Sequence, residues 1–285
     1  MKKVLCIFTT LVVVTSVVIK VVSVWNKEAF DDDNKYMDID CVNNCIALDY
    51  HRVRDKNIWN MFVQNVIGID ELKHYSVYTE EFEKQMDRLI DEGAYFATLD
   101  EIETFRSTGK FPDKCVWICF DDCDKTLYEN AYPILKKRSI PFTVFVIAGQ
   151  VGNEDFSNIS LCDWEDLKEM RDSGLASFGS HTYNMHYFED KGAKFLDKDL
   201  YNDFYEDIKK SKEVLEEKLD VKITSIAYPF GESSDELAHL SEEAGFKNGF
   251  ILAPYPITSD NYDFYQNRYM IDRGNFDSIM DVWLN

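Results

Sequence analysis

The chain has 285 residues, is 45% hydrophobic and carries a formal net charge of −21 with a pI near 4.6. This length accommodates one large α/β domain or two small ones, and the apolar share suffices for a sizeable core. So acidic a balance argues against attraction to nucleic-acid phosphates or anionic lipid heads, and no nucleic acid is expected as a partner.

The N-terminus reads as an address. Lys2 and Lys3 precede an apolar stretch over residues 4–25, broken only by Lys20. About 22 helical residues reach roughly 33 Å, enough to cross a bilayer. Residues 1–25 are therefore expected to be a signal anchor, with a cleaved signal peptide as the rival. Residues 4–19 resemble a long hydrophobic region, but no clear small-x-small cleavage site follows. Lysines before the segment and Asp31, Asp32 and Asp33 after it orient the body of the protein outwards. The expected location is the cell membrane, facing outside, or the secreted and cell-surface fraction if the segment is cleaved. Residues 26–44 read as an acidic linker, which leaves residues 45–285 for the folded domain.

Strand-like runs fall at residues 46–51, 116–120, 142–147, 175–179, 223–227 and 249–252. Helical patterns lie between them. Residues 79–91 place Phe82, Met86, Leu89 and Ile90 on one face, and residues 196–219 form a longer, highly charged helix. Capping-box spacings occur at Asp100/Glu103 and Ser233/Glu236, and Gly93, Gly174 and Gly245 mark helix stops. The alternation implies an α/β fold with a largely parallel sheet. Closure into a barrel would put functional residues at the carboxyl ends of the strands. Of seven cysteines, Cys6 sits in the hydrophobic segment. Of Cys115, Cys119 and Cys123, the first two fall in a strand-like segment where four residues span ~13 Å, too far to share one zinc easily. Cys41, Cys45, Cys115, Cys119, Cys123 and Cys162 are expected as small buried side chains, with a Cys41–Cys45 bridge as an option.

Asp121 and Asp122 come immediately after the 116–120 run, and His181 and His186 stand five apart after the 175–179 run. Two neutral imidazoles and one carboxylate leave coordination positions open for water and substrate, the arrangement of a catalytic mononuclear metal site. A metal-dependent hydrolase is the expected class. The plain readings are solvated surface acids and a chance histidine pair. Adjacent strand residues point to opposite faces, so Asp121 and Asp122 share a site only where the strand ends. Five residues put the histidines on opposite faces of a strand and about 140° apart on a helix, so the chain must turn after His181.

Cys119-Phe120-Asp121-Asp122-Cys123, Ser180-His181 through His186, and Ala227-Tyr228-Pro229-Phe230-Gly231-Glu232 resemble, in order, three motifs of the polysaccharide deacetylases, carbohydrate esterase family 4 with the NodB-homology domain. These core motifs fall within residues 114–285. Leu48-Asp49-Tyr50-His51-Arg52-Val53 and residues 128–135 resemble the intercellular-adhesin subgroup, which acts on poly-β-1,6-N-acetylglucosamine. The histidine spacing fits that subgroup better than the peptidoglycan and chitin branches. The resemblance implies a distorted (β/α) barrel and N-deacetylation of an N-acetylglucosamine polymer. Peptidoglycan deacetylation, or a catalytically silent anchored carbohydrate-binding protein, are the alternatives.

By position, the resemblance implies Asp122, His181 and His186 as ligands of a divalent metal, zinc first, with cobalt, nickel or iron(II) as options. It implies Asp121 as general base and a backbone N–H near Phe230 as oxyanion donor. Three departures stand out. Cys123 replaces the usual glycine, Ala227 replaces the arginine that tethers the base, and no histidine follows His239 to act as general acid. Arg268 is the candidate replacement tether, and Asp121 is expected to serve as base and then acid. His51 is expected as a hydrogen-bonded core or rim residue, with a place in the pocket lining as the alternative, and His74 and His239 as surface residues. Tyr183, Tyr228, Trp164 and Trp283 are candidates for stacking on sugar rings.

Overall fold

Every strand pairing in the main sheet is parallel, which follows from strands separated by helices that each return the chain to the same end. The computed structural model describes residues 41–56, 75–189 and 192–284. The expected anchor or signal peptide, most of the acidic linker and His74 lie outside the described residues. Among the described residues no helix is long and apolar enough to cross a membrane.

In chain order the elements are β1 (Cys45–Tyr50), β2 (Arg52–Arg54), β3 (Ser76–Tyr78), α1 (Thr79–Asp91), β4 (Tyr95–Phe96), α2 (Leu99–Thr108), β5 (Cys115–Phe120), α3 (Tyr132–Arg138) and β6 (Phe142–Val146). They continue with α4 (Trp164–Asp172), β7 (Ala176–Ser180), the small hairpin β8 (Phe188–Glu189) and β9 (Gly192–Ala193), and α5 (Tyr201–Leu219). The last are β10 (Ser225–Ala227), α6 (Asp235–Glu243), β11 (Asn248–Phe250), β12 (Tyr269–Met270) and α7 (Phe276–Trp283). The sheet order is β11-β10-β7-β6-β5-β1-β12, with β4 also paired to β5. Residues 266–270 touch both edges. Gln266 N–H donates to Gly249 O at 2.9 Å and Ile251 N–H donates to Gln266 O at 2.9 Å, while Tyr269 pairs with Leu48 on β1. The sheet thereby curls round into the distorted (β/α) barrel that the resemblance implied.

Aromatic rings fill the interior. Trp117 of β5, Phe145 of β6 and Phe250 of β11 pack with centroids 4.8 to 6.1 Å apart, and Trp117 Nε1–H donates to Thr143 Oγ1 at 2.9 Å. Gly179 on β7 makes the room, since a Cβ there would lie 2.4 Å from the Phe145 ring. Buried on both faces, β5 reads as the continuous apolar run Cys-Val-Trp-Ile-Cys-Phe rather than an alternation.

The main strands lie within a residue or two of their expected positions. Helix starts differ more. The α2 cap is Thr98 with Glu101 rather than Asp100 with Glu103, because the Glu101 carboxylate accepts from Thr98 N–H at 2.8 Å. The α6 cap is Ser234, whose hydroxyl accepts from Leu237 N–H at 3.3 Å, rather than Ser233. Residues 196–200 are not part of the long charged helix; two short 3-10 turns precede α5. Nor is there a Cys41–Cys45 bridge: both are free thiols. The parallel register sets Cys45 opposite Cys115, Sγ to Sγ at 2.6 Å, while Cys41 O accepts from Lys114 N–H at 2.9 Å. The last residues assigned to the linker are thus already fastened to the barrel, with Asn43 Oδ1 accepting from Phe111 N–H at 3.1 Å.

Candidate active site

Four strand ends build one site. β1 runs through Asp49 into His51, β5 stops just before Asp121 and Asp122, β7 stops just before His181, and β10 leads into the Pro229–Gly231 turn. All lie at the carboxyl edge of the sheet, where the backbone leaves the ladder and side chains can converge. Asp121 N–H donates to Tyr50 O at 3.0 Å, one last step of the β1–β5 ladder. The chain then turns through left-handed backbone at Asp122 (φ +66°) and Cys123 (φ +69°), and Cys123 N–H donates to Asp121 O at 2.8 Å. That turn is what lets two adjacent acids both approach His181 Nε2, at 4.0 and 3.5 Å.

The histidines meet by a second turn. His181 N–H donates to Val146 O at 2.9 Å, Thr182 bends the chain at φ +71°, and Met185 N–H donates to Thr182 Oγ1 at 3.2 Å. His186 folds back until the two imidazole centroids are 4.9 Å apart. Asp207, from α5, anchors the turn by accepting Tyr183 N–H at 2.7 Å and Asn184 N–H at 2.8 Å on its two carboxylate oxygens.

The chemistry of Asp122, His181 and His186 fits a metal ion. His181 Nδ1 lies 2.8 Å from Ala227 O, which fixes the tautomer as Nδ1–H and leaves Nε2 as a lone pair facing the cleft. Asp122 Oδ1 is 3.5 Å from that Nε2 and 3.1 Å from His186 Nε2, yet is buried without a hydrogen-bond partner. Three ligand atoms within 4.8 Å of one another, two nitrogens and one oxygen, suit a divalent ion with open positions. Burial pushes the Asp122 carboxyl up, but attraction from His186 and the close approach of both imidazoles hold it well below the usual carboxylate range.

Asp121 lies buried beside this set, Oδ2 4.0 Å from His181 Nε2, but has a different partner. Arg268, fully buried, reaches it with Nη1 at 2.7 Å from Oδ1 and Nη2 at 2.8 Å from Oδ2, and Nη1 also lies 3.1 Å from Asp49 Oδ1. Burial pushes the Asp121 carboxyl up, and Arg268 outweighs it, keeping Asp121 below its ordinary value. Asp49 moves the other way, because burial there outweighs the same guanidinium. Asp49, His51 and Asp121 also cluster closely, but Arg268 supplies the positive charge that an ion would otherwise bring.

One site residue, Asp207, goes unassigned in the sequence, and His51 is placed there without a role. His51, expected in the core or at the rim, is 7% exposed on the cleft wall, with Nδ1 3.7 Å from Asp49 Oδ2 and its ring 4.9 Å from Tyr75. Burial pushes its imidazole down to about 4 against the pull of Asp122 and Asp121. Period-two alternation along β1 is the signal that could have paired Asp49 with His51. Asp207 sits among many charged helix residues, and nothing in its local sequence marks it.

The cleft has a volume of about 480 Å³, and Tyr75, Phe156 and Phe230 give it aromatic walls. Phe230 stands in the left-handed region at φ +60° within the turn, its ring 4.5 Å from the His186 ring. Gly231 must follow it: φ is +72°, and a Cβ would fall 2.3 Å from Leu252 Cβ. Among the described residues, the cleft lining does not include Tyr183, Tyr228, Trp164 or Trp283. Tyr228 and Trp283 are fully buried and pack the core, and the Tyr183 ring lies beneath Lys210 Nζ at 3.8 Å.

Comparison with known proteins places these features in company. Residues 108–249 match the family described as polysaccharide deacetylase. A poly-β-1,6-N-acetyl-D-glucosamine N-deacetylase of Staphylococcus aureus is 39% identical over 241 residues, 85% of this chain and 83% of that protein. Its counterpart in Staphylococcus epidermidis is 37% identical over 243 residues, again 85% and 83%. The solved structure of IcaB from Ammonifex degensii superposes with a TM-score of 0.73 at 31% identity, covering 84% of this chain and 96% of that one. The deacetylase PplD of Streptococcus pyogenes shares the fold, with a TM-score of 0.69 at 24% identity over 84% of this chain and 97% of that one.

Proposed function

The chain belongs to the polysaccharide deacetylase family, a hydrolase of polysaccharide amide bonds, and from that premise we propose that it removes acetyl groups from poly-β-1,6-N-acetylglucosamine in a metal-dependent reaction outside the cell. The observation that carries this reading is the meeting, in one cleft, of the ligand set Asp122, His181 and His186 with an arginine-tethered Asp121. The β-1,6 linkage rests on the staphylococcal relatives, whose names specify that polymer. The outward location rests on the charges flanking residues 4–25. A membrane tether results if that segment is retained.

Asp122, His181 and His186 would hold the ion, with zinc the first candidate. When bound, such an ion acidifies water toward neutral pH and polarises the acetamide carbonyl. The protein's own groups do the rest. Asp121, held ionised and aimed by Arg268, accepts a proton from the attacking water. A backbone N–H at the Phe230 turn steadies the oxyanion, and the Phe230 ring keeps His186 in place. Departure of the amine needs a proton. With no histidine beyond His239, His51 in the cleft lining, with Asp49 Oδ2 3.7 Å from its Nδ1, is the group placed to relay it. The products are acetate and a free amine on the polymer.

The test is acetate release by the purified full chain from defined β-1,6 and β-1,4 N-acetylglucosamine oligomers, with and without added zinc. Zinc-dependent release from the β-1,6 series is expected. Preference for β-1,4 oligomers would move the assignment to peptidoglycan, and no release from either would overturn it.

A further inference from the structure

The turn that carries Asp122 places two consecutive side chains on left-handed backbone, a conformation that only glycine adopts without steric penalty. Cys123, the second of them, stands where the related motif usually has glycine. A side chain kept at such a position calls for something that the side chain itself does. Here it meets Cys162.

Asp124 and Leu161 form an antiparallel bridge, Lys125 N–H donates to Ser160 O at 2.8 Å, and Cys162 N–H donates to Cys123 O at 2.9 Å. Cys123 and Cys162 therefore stand opposite each other next to that bridge, joined by one backbone hydrogen bond, since Cys123 N–H donates to Asp121 O instead. Opposite residues of an antiparallel pair have Cα atoms about 4.5–5.5 Å apart, within the range that disulfides span. Both side chains are buried free thiols, and Cys162 Sγ donates to Asp124 O at 3.5 Å. Burial, then the contact with Cys162, pushes the Cys123 thiol up. The segment that carries Cys162 continues from a turn closed by the Phe156–Ile159 bridge, and both residues of that bridge line the cleft. Phe156 lies with its ring 6.0 Å from that of His186.

We propose that Cys123 and Cys162 form a disulfide that staples the Asp122 turn to the segment leaving the cleft-lining turn. The oxidant is a small disulfide of the glutathione class. One protein thiolate attacks a sulfur of that donor and expels its first thiolate; the other protein thiolate then attacks the protein sulfur of the mixed disulfide and expels the second. One S–S bond breaks and one forms, and two protein thiols lose two protons and two electrons while the donor becomes two thiols. Exchange takes place while the two segments are apart, during folding or local opening.

The full chain, exposed to oxidised glutathione, alkylated and digested, is read by mass spectrometry. A peptide linking Cys123 to Cys162 is expected, and it is distinguishable from any product of the Cys45–Cys115 contact. Alkylation of both Cys123 and Cys162 after oxidation overturns the proposal. The staple's effect on the ion rests on the metal-site reading above. With zinc loaded, release to a chromogenic chelator is compared for the oxidised protein, the reduced protein and Cys162→Ser. Release on the order of tenfold faster without the disulfide is expected, and equal rates overturn the stapling role. A chain that binds no zinc in either redox state refutes the metal site instead, while the peptide map still decides the disulfide.

Discussion

Arg268 grips Asp121 through two parallel contacts, Nη1 to Oδ1 at 2.7 Å and Nη2 to Oδ2 at 2.8 Å, across 147 positions of chain and with neither residue more than 2% exposed. The fork supplies what Ala227, at the usual arginine position, has no group to supply. A planar guanidinium matches both carboxylate oxygens at once, whereas a lysine ammonium is a single point. Arg268→Lys should therefore retain the fold and the metal but lower kcat by about tenfold or more through a loosely aimed base. Arg268→Ala should lower stability by about 3–5 kcal/mol, since it strands Asp121 and Asp49 together in the interior. Zinc content, kcat and thermal melts separate the two effects; unchanged kcat in Arg268→Lys would show that aiming is not its role.

Asp121 and Asp122 are neighbours with different tasks. Asp122→Ala, His181→Ala and His186→Ala should each lose zinc and activity together, without global unfolding, because on the proposed reading the set would hold an ion rather than the core. Asp121→Asn should keep most of its zinc and lose turnover by ~100-fold or more. Metal analysis beside kinetics checks this, and equal zinc loss in Asp121→Asn and Asp122→Ala would remove the division of roles.

Much of this site is legible in the sequence because it depends on strand ends. The 116–120 run announces a buried strand, and the residues just past such a strand in a parallel barrel face the cleft, so Asp121, Asp122 and His181 can be placed without coordinates. The turns that let them converge can only be required, since left-handed φ at Asp122 and Thr182 has no glycine to advertise it. Arg268 is a candidate only by default, because a contact across most of the chain leaves no local pattern. Asp207 is invisible for a sharper reason: on a helix as charged as α5, one acid looks like another until its carboxylate is seen to accept two backbone N–H groups of the histidine turn. Helix starts slip by one or two residues where adjacent polar residues compete for the cap, as at Ser233 and Ser234.

His51 bears on how the amine leaves. The motifs alone leave Asp121 as sole proton carrier, whereas the cleft lining includes the His51 imidazole, with Asp49 Oδ2 3.7 Å from its Nδ1. His51→Ala should keep zinc and fold but lower kcat by about 100-fold, the usual scale for losing a general acid. Activity within a few-fold of the parent, measured at saturating polymer, would return the whole proton transfer to Asp121.

Asp207 trades stability for order in the histidine turn. Burial raises its carboxyl to about 6 against the two backbone N–H groups that favour ionisation. The folded state thus holds this proton more tightly than the unfolded chain does, so the group's stabilising contribution is full below about pH 4 and is lost as pH rises through about 6. The ionised form is retained at neutral pH at a cost of about 3 kcal/mol, an upper figure for a shift of this size. Asp207→Asn should flatten the stability profile across that window and leave the metal-free protein at least as stable as the parent at pH 7. It should also weaken zinc binding on the order of tenfold, because an amide offers one acceptor where Tyr183 and Asn184 present two donors. Melts of the metal-free protein from pH 4 to pH 8, with zinc titrations at pH 7, test both halves. Parental zinc affinity in a folded Asp207→Asn would mean that the turn holds its shape without the carboxylate.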